Sequence, residues 1–103
     1  MDWIFEKGRI YCLDDNREVM AETTYIFKDN GEVDIDHTFV NPALRGQGVA
    51  GAMMKVVATH LLEKKLKATA SCAYANAWLR KNANSYSDVI SEDMGDDFGA
   101  CKV

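Results

Sequence analysis

The stretch Arg45-Gly46-Gln47-Gly48-Val49-Ala50-Gly51 has the residue types and spacing that most directly suggest chemistry. Without Cβ atoms at Gly46, Gly48 and Gly51, the backbone can approach an anion closely and turn its N–H groups toward it. A helix starting there would add unsatisfied donors and the positive end of its dipole. Arg45 supplies a forked cation that suits a pyrophosphate. The same glycines also suit a tight strand-to-helix turn that binds nothing, and spacing alone leaves both readings open. A Walker loop is excluded because no Gly-Lys-Ser/Thr follows, and the Rossmann spacing is not met.

Cys72 is the second candidate. It falls just before an expected helix, where the N-terminal dipole lowers a thiol pKa, and a thiolate attacks acyl groups readily. His37 lies on a strand expected to pair with the one that ends at Cys72, within reach to act as a base. Both residues also have plain structural readings. Cys72 continues the apolar register of Leu66, Ala68 and Ala70, and His37 alternates in step with Val33, Ile35 and Phe39. Asp34, Asp36 and Thr38 fall on the other face of that strand, where Asp36 is either an alternative base or simply solvated. His60 is expected at the surface. Cys12, Cys72 and Cys101 form an odd set without paired metal-ligand spacing, so neither a metal site nor a disulfide framework is expected.

The elements that must position these groups are legible in outline. Residues 3–13 read as one extended segment with a bulge or bend at Gly8, followed by a turn at Asp14-Asp15-Asn16. Residues 19–28 form a second strand, and Asn30-Gly31 marks a tight hairpin into a third, residues 32–40. Pro42 forces Asn41 into an extended conformation and ends that strand. After the glycine turn, Ala50, Met53, Met54, Val57, Leu61 and Leu62 give a helix over 48–65 one apolar face. Residues 66–72 alternate as a fourth strand, although their alanines also suit a helical continuation. A second helix over 73–82 aligns Tyr74, Ala77, Trp78 and Lys81, and Tyr86, Val89 and Ile90 add a last packed turn. The order predicts an α+β fold: an antiparallel three-strand meander, a right-handed β-α-β crossover and a C-terminal helix. Its ligand crevice belongs at the C-terminal ends of the parallel pair. Residues 1–90 make one domain, and 91–103 read as an acidic tail.

Arg45-Gly46-Gln47-Gly48-Val49-Ala50 resembles the Arg/Gln-x-x-Gly-x-Gly/Ala signature of the GNAT acetyltransferase superfamily. The stretch from His37-Thr38-Phe39-Val40-Asn41-Pro42 through Met54 looks like a minimal branch of it, as does Ser71-Cys72-Ala73-Tyr74-Ala75 with Trp78 and Lys81. The likeness runs from the first strand to Tyr86. It implies acetyl-CoA as acyl donor, with its pyrophosphate on Arg45, Gly46, Gln47, Gly48, Val49, Ala50 and Gly51. It also implies that Phe39 and Val40 pair with the pantetheine arm.

Two departures stand out. Larger members carry helices between their first strands and further strands at the end, which shape the acceptor pocket, whereas here a short turn, 14–18, takes that place. Many members also follow the last common strand with Asn-x-x-Ala-x-x-Phe-Tyr, whose tyrosine protonates the leaving thiolate. Cys72 stands at the asparagine position and Leu79 at the tyrosine, leaving Tyr74 and Tyr86 as replacements.

Composition sets the outer limits. The 103 residues allow one core, and a net charge of −4 argues against general nucleic-acid or anionic-membrane binding. No apolar run reaches a membrane span, and Met1 to Glu6 lacks the pattern of a secretory signal, so a cytoplasmic setting is expected. Two functions follow from the resemblance. One is an acyltransferase acting on an unidentified amine or thiol, directly or through an acetyl-Cys72. The other is a CoA-thioester-binding module without turnover.

Overall fold

The computed structural model describes residues 1–94. Five strands form one sheet in the order β1-β2-β3-β4-β5: Ile4–Glu6, Arg9–Leu13, Val19–Phe27, Val33–Val40 and Ala68–Ala70. The first four pair antiparallel, and β4 pairs parallel with β5. Helix α1 spans Val49–Glu63, α2 Ala73–Lys81 and α3 Ala83–Tyr86.

The opening segment read as one strand is instead a hairpin, so the meander has four strands. Gly8 is its turn, not a bulge, with φ +77°. A Cβ at Gly8 would also stand 2.8 Å from the Tyr25 carbonyl oxygen, so both backbone conformation and space require glycine there. The turn before β3 is built on Asp14, whose Oδ1 accepts the backbone N–H groups of Asn16 and Glu18. The Asn30-Gly31 hairpin forms as expected, with Gly31 at φ +84°.

Strand β4 departs from simple alternation. Thr24 pairs with His37 while Tyr25 pairs with Ile35, so Asp36 is an extra residue in the ladder. Val33 and Ile35 are buried, Asp36 and His37 are both half-buried, and burial resumes at Thr38 and Val40. The bulge therefore moves His37 and Phe39 off the core face and brings Thr38 onto it, the reverse of the expected register.

That core face is covered by the helices. Val49, Met53, Met54, Val57 and Leu61 of α1 pack with Ile10, Cys12, Ala21, Ile35 and Val40. The expected stripe holds except at Leu62, which is 40% exposed. On α2 the buried residues are Ala75, Asn76 and Leu79, while Tyr74 and Trp78 pack at the margin of the core. The Trp78 ring lies 5.5 Å from that of Tyr86. Val89 is buried, and Ile90 adds a parallel bridge to Ala68 outside β5. Ser91 and Met94, read with the tail, pack here as well: Ser91 is buried and its N–H donates to Ala68 O. The rest of the tail, including Phe98 and Cys101, lies outside the described residues. No helix among the described residues is long and apolar enough to cross a membrane.

The opposite face of the sheet is polar. Arg9 pairs with Glu22 and stacks 3.7 Å over the Tyr11 ring. The Thr24 hydroxyl donates to Asp36, and Thr69 and Ser71 both donate to Asp34.

Candidate cofactor-binding site

Two features of the fold meet at the C-terminal end of β4. The first is a divergence within the sheet. Pairing between β4 and β5 covers Val33 to Ile35 and closes with the Cys72 N–H on Ile35 O at 3.1 Å. Beyond that point the chain leaves β5 to begin α2, whereas β4 continues to Val40 against β3. The bulge at Asp36 adds local twist where the two strands part. The β5-facing edge of residues 37–40 is thus left to accept an extended ligand as a strand would.

The second feature is the connection from β4 to α1. Asn41 accepts the Ala43 N–H on its side chain, and Pro42–Leu44 form a single 3-10 turn. Arg45 is exposed and extended, and its Nε donates to Val40 O at 3.1 Å. That bond anchors the guanidinium beside the end of β4. The Gln47 amide donates back to Ala43 O. Gly46 and Gly48 have φ +82° and +77°, and a Cβ at either would meet nothing within 4 Å. Positive φ makes glycine necessary, and the open space leaves a ligand room to approach. Gly48 is the N-cap of α1, without a side-chain cap and with no acid in the first turn. The first intrahelical bond there is Ala52 N–H to Gly48 O, so the N–H groups of Val49, Ala50 and Gly51 precede the ladder. Uncompensated donors and an uncompensated dipole are the features that favour negative charge at a helix start. Val49 is buried and fixes the turn in the core, so its share of the site is its N–H. Val40, also buried, likewise offers only its backbone.

Tyr74 reaches toward α1 from α2. Its hydroxyl stands 3.9 Å from a Cβ position at Gly51, which sets it beside the first turn of α1. Burial pushes its pKa above the ordinary tyrosine value, so it stays a protonated donor. Of the two tyrosines considered as replacement acids, Tyr86 instead stacks on Trp78. Leu79, at the position of the missing acid, is fully buried.

Cys72 is the N-cap residue of α2 and fully buried. Its Sγ lies 3.2 Å from Thr38 Oγ1. Cys12 is a free, buried thiol. A hydroxyl and a sulfur can each donate or accept, so either atom serves as the donor between Thr38 and Cys72. This contact was not foreseen, because strict alternation put Thr38 on the solvated face. The Thr23 hydroxyl, directly across the ladder from Thr38, is buried without a hydrogen-bond partner. His37 stands half-buried on the polar face, next to Asp36 and opposite Thr24. The structure therefore brings Thr38 to the Cys72 sulfur and directs His37 to the other side of β4. No cluster of His, Cys, Asp and Glu able to hold a metal occurs among the described residues.

Comparison with known proteins places the fold. Residues 9–89 match the model of a family described as GCN5-related N-acetyl-transferase. The solution structure of a GCN5-like protein from Staphylococcus aureus superposes with a TM-score of 0.71 at 41% identity, covering 87% of each chain. A GCN5-related N-acetyltransferase from Sphaerobacter thermophilus shares the fold at 8% identity and a TM-score of 0.51, over 76% of this chain and 27% of that one. Protein NATD1 of Xenopus tropicalis is 33% identical over 62 residues, which are 60% of this chain and 57% of that protein. With the glycine turn, the parted strands and a family match spanning most of its length, the chain belongs to the GCN5-related N-acetyltransferase family.

Proposed function

We propose that the protein binds acetyl-CoA in the crevice between β4 and α2 and transfers its acetyl group to an amine or thiol acceptor. The observation that carries this reading is the uncapped, glycine-built N-terminus of α1 beside the unpaired end of β4. The fit is supported by the open space at Gly46 and Gly48, which would admit phosphate oxygens. Gly46, Gln47, Gly48, Val49, Ala50 and Gly51 would hold the pyrophosphate through backbone N–H groups, with Arg45 adding charge. The backbone of Phe39 and Val40 would align the pantetheine arm. Bound there, acetyl-CoA supplies the acyl group as a thioester.

In direct transfer, His37 or Asp36 accepts the proton of the acceptor amine, and Tyr74 donates its hydroxyl proton to the departing sulfur. In the alternative route the Cys72 thiolate takes the acetyl group and later yields it to the acceptor. That route needs the reduced thiol, so reductant separates the two. The test is CoA release from acetyl-CoA with a panel of amines, run with and without dithiothreitol. Acceptor-dependent release supports transfer. Release that needs reductant, together with an acetyl adduct that Cys72→Ala abolishes, assigns the covalent route.

A second reading is favoured by the buried Leu79 and the buried Cys72 sulfur. In it the protein binds CoA thioesters without turnover, and saturable binding with no release under any acceptor would select it.

A further inference from the structure

We propose that the open edge of β1, with the groove between β1 and α1, docks an extended acidic peptide segment of a partner protein. The sheet order leaves β1 as an edge, and Ile4, Phe5 and Glu6 are all exposed. Glu6 and Arg9 close a two-residue hairpin, so that pair exchanges hydrogen bonds. Antiparallel pairs alternate, so the N–H and C=O of Phe5 point away from β2, to a side with no strand among the described residues. The other sheet edge, β5, is met by Ile90.

The side chains around this edge select an occupant. Phe5 pairs with Ile10 and so projects on the helix side, where its ring lies 4.9 Å from that of His60 on α1. Phe5 stays 49% exposed, and Ile4 37%. A groove of about 530 Å³ runs between Phe5, Val56 and His60, with Lys55 and Lys64 on its rim. It continues past Lys7 toward Phe27, over whose ring the Lys7 ammonium sits at 5.3 Å. Two carboxylates also line it, Glu63 and Glu6, but Glu6 already accepts from Tyr11 and faces Arg9 at 3.6 Å. Lys7, Lys55 and Lys64 against Glu6 and Glu63 leave the groove one positive charge in excess, on a chain of net charge −4. Strand addition supplies main-chain bonds at Phe5, the groove takes an apolar side chain, and the lysines meet flanking carboxylates. This site is separate from the crevice at Gly48 and does not depend on acetyl transfer.

The probe is a fluorescein-labelled peptide, Asp-Asp-Val-Leu-Val-Asp-Asp, titrated into the full chain by anisotropy and by backbone amide shifts. Saturable binding with shifts at Phe5 and along residues 55–64 is expected, weakened by added salt and absent for the lysine-flanked analogue. Lys55→Glu with Lys64→Glu, both on the exposed helix surface, reduces affinity at least tenfold. Phe5→Pro removes the outward N–H at an edge position that tolerates proline, and also weakens binding. Equal binding of both peptides, shifts centred elsewhere, or no saturation at millimolar peptide overturns the proposal. Unchanged affinity in Phe5→Pro overturns strand addition. A dimer mass with concentration-dependent shifts at Phe5 in the absence of peptide assigns the edge to a second copy instead.

Discussion

Thr38 Oγ1 and Cys72 Sγ lie 3.2 Å apart, joining β4 to the N-cap of α2 at the point where the sheet parts. Both residues are fully buried, so the contact is shielded from water. Thr38→Val keeps the shape and removes the hydroxyl. It is expected to lower the unfolding free energy by about 1 kcal/mol, the net value of one buried hydrogen bond. Urea denaturation with an unchanged m-value checks this, and an unaltered midpoint would show that the contact contributes nothing.

Arg45 is anchored to Val40 O but otherwise exposed on a loop. Arg45→Ala should therefore weaken acetyl-CoA binding by about 1–3 kcal/mol, the usual cost of a lost charge-assisted hydrogen bond. Thermal stability should hardly move. Calorimetric titration showing unchanged affinity would mean that the backbone N–H groups alone hold the phosphates.

Gly48 combines a left-handed conformation with the N-cap of α1. Gly48→Ala has open space for its methyl group, so its cost is conformational, about 1–2 kcal/mol. Gly48→Asn should recover part of that stability, since asparagine tolerates this region and caps helices. Its side chain then occupies the anion site, and cofactor affinity should fall further than in the alanine variant. Affinity that instead tracks stability across the pair would argue against phosphate binding at this turn.

Tyr74→Phe should lower turnover while leaving acetyl-CoA affinity within about twofold, a difference of roughly 0.4 kcal/mol on the scale where tenfold is 1.4 kcal/mol. Pre-steady-state and binding measurements on the same variant separate the two effects. A matching loss of binding would make Tyr74 a contact to the cofactor rather than a proton donor.

Stability should also fall in alkali. Burial raises the pKa of Cys12 above its ordinary 9.0 and those of Tyr25 and Tyr74 above 10.0. Above those ordinary values the unfolded chain loses its protons first and binds fewer than the folded chain. Unfolding free energy then declines as pH rises. The stabilisation is complete below pH 9 and is lost progressively above it, first through Cys12 and then through the tyrosines. Urea midpoints between pH 8 and 11 test this, and Cys12→Ala with Tyr25→Phe should flatten the slope.

How much of this was written in the chain depends on the range of the interactions concerned. The glycine turn, the Asn30-Gly31 hairpin, the stop at Pro42 and the apolar stripe of α1 each depend on a few consecutive residues. Their turn chemistry and periodicity are local, so the crossover and its glycine-built helix start could be read directly. The Gly8 hairpin was missed because glycine serves a bulge and a turn equally, and only the close approach of Tyr25 O decides between them. The extra residue at Asp36 is decided by register against β3, a strand more than ten positions away along the chain. That one bulge exchanges His37 for Thr38 on the core face and so changes which group meets Cys72. The placing of Tyr74 beside α1 and of Tyr86 against Trp78 likewise depends on how α2 packs against α1 and α3. Sequence alone determined which backbone could cradle an anion, because that property belongs to a short segment. Tertiary structure decided which side chains share the crevice, because strand register and helix packing are settled only when distant segments meet.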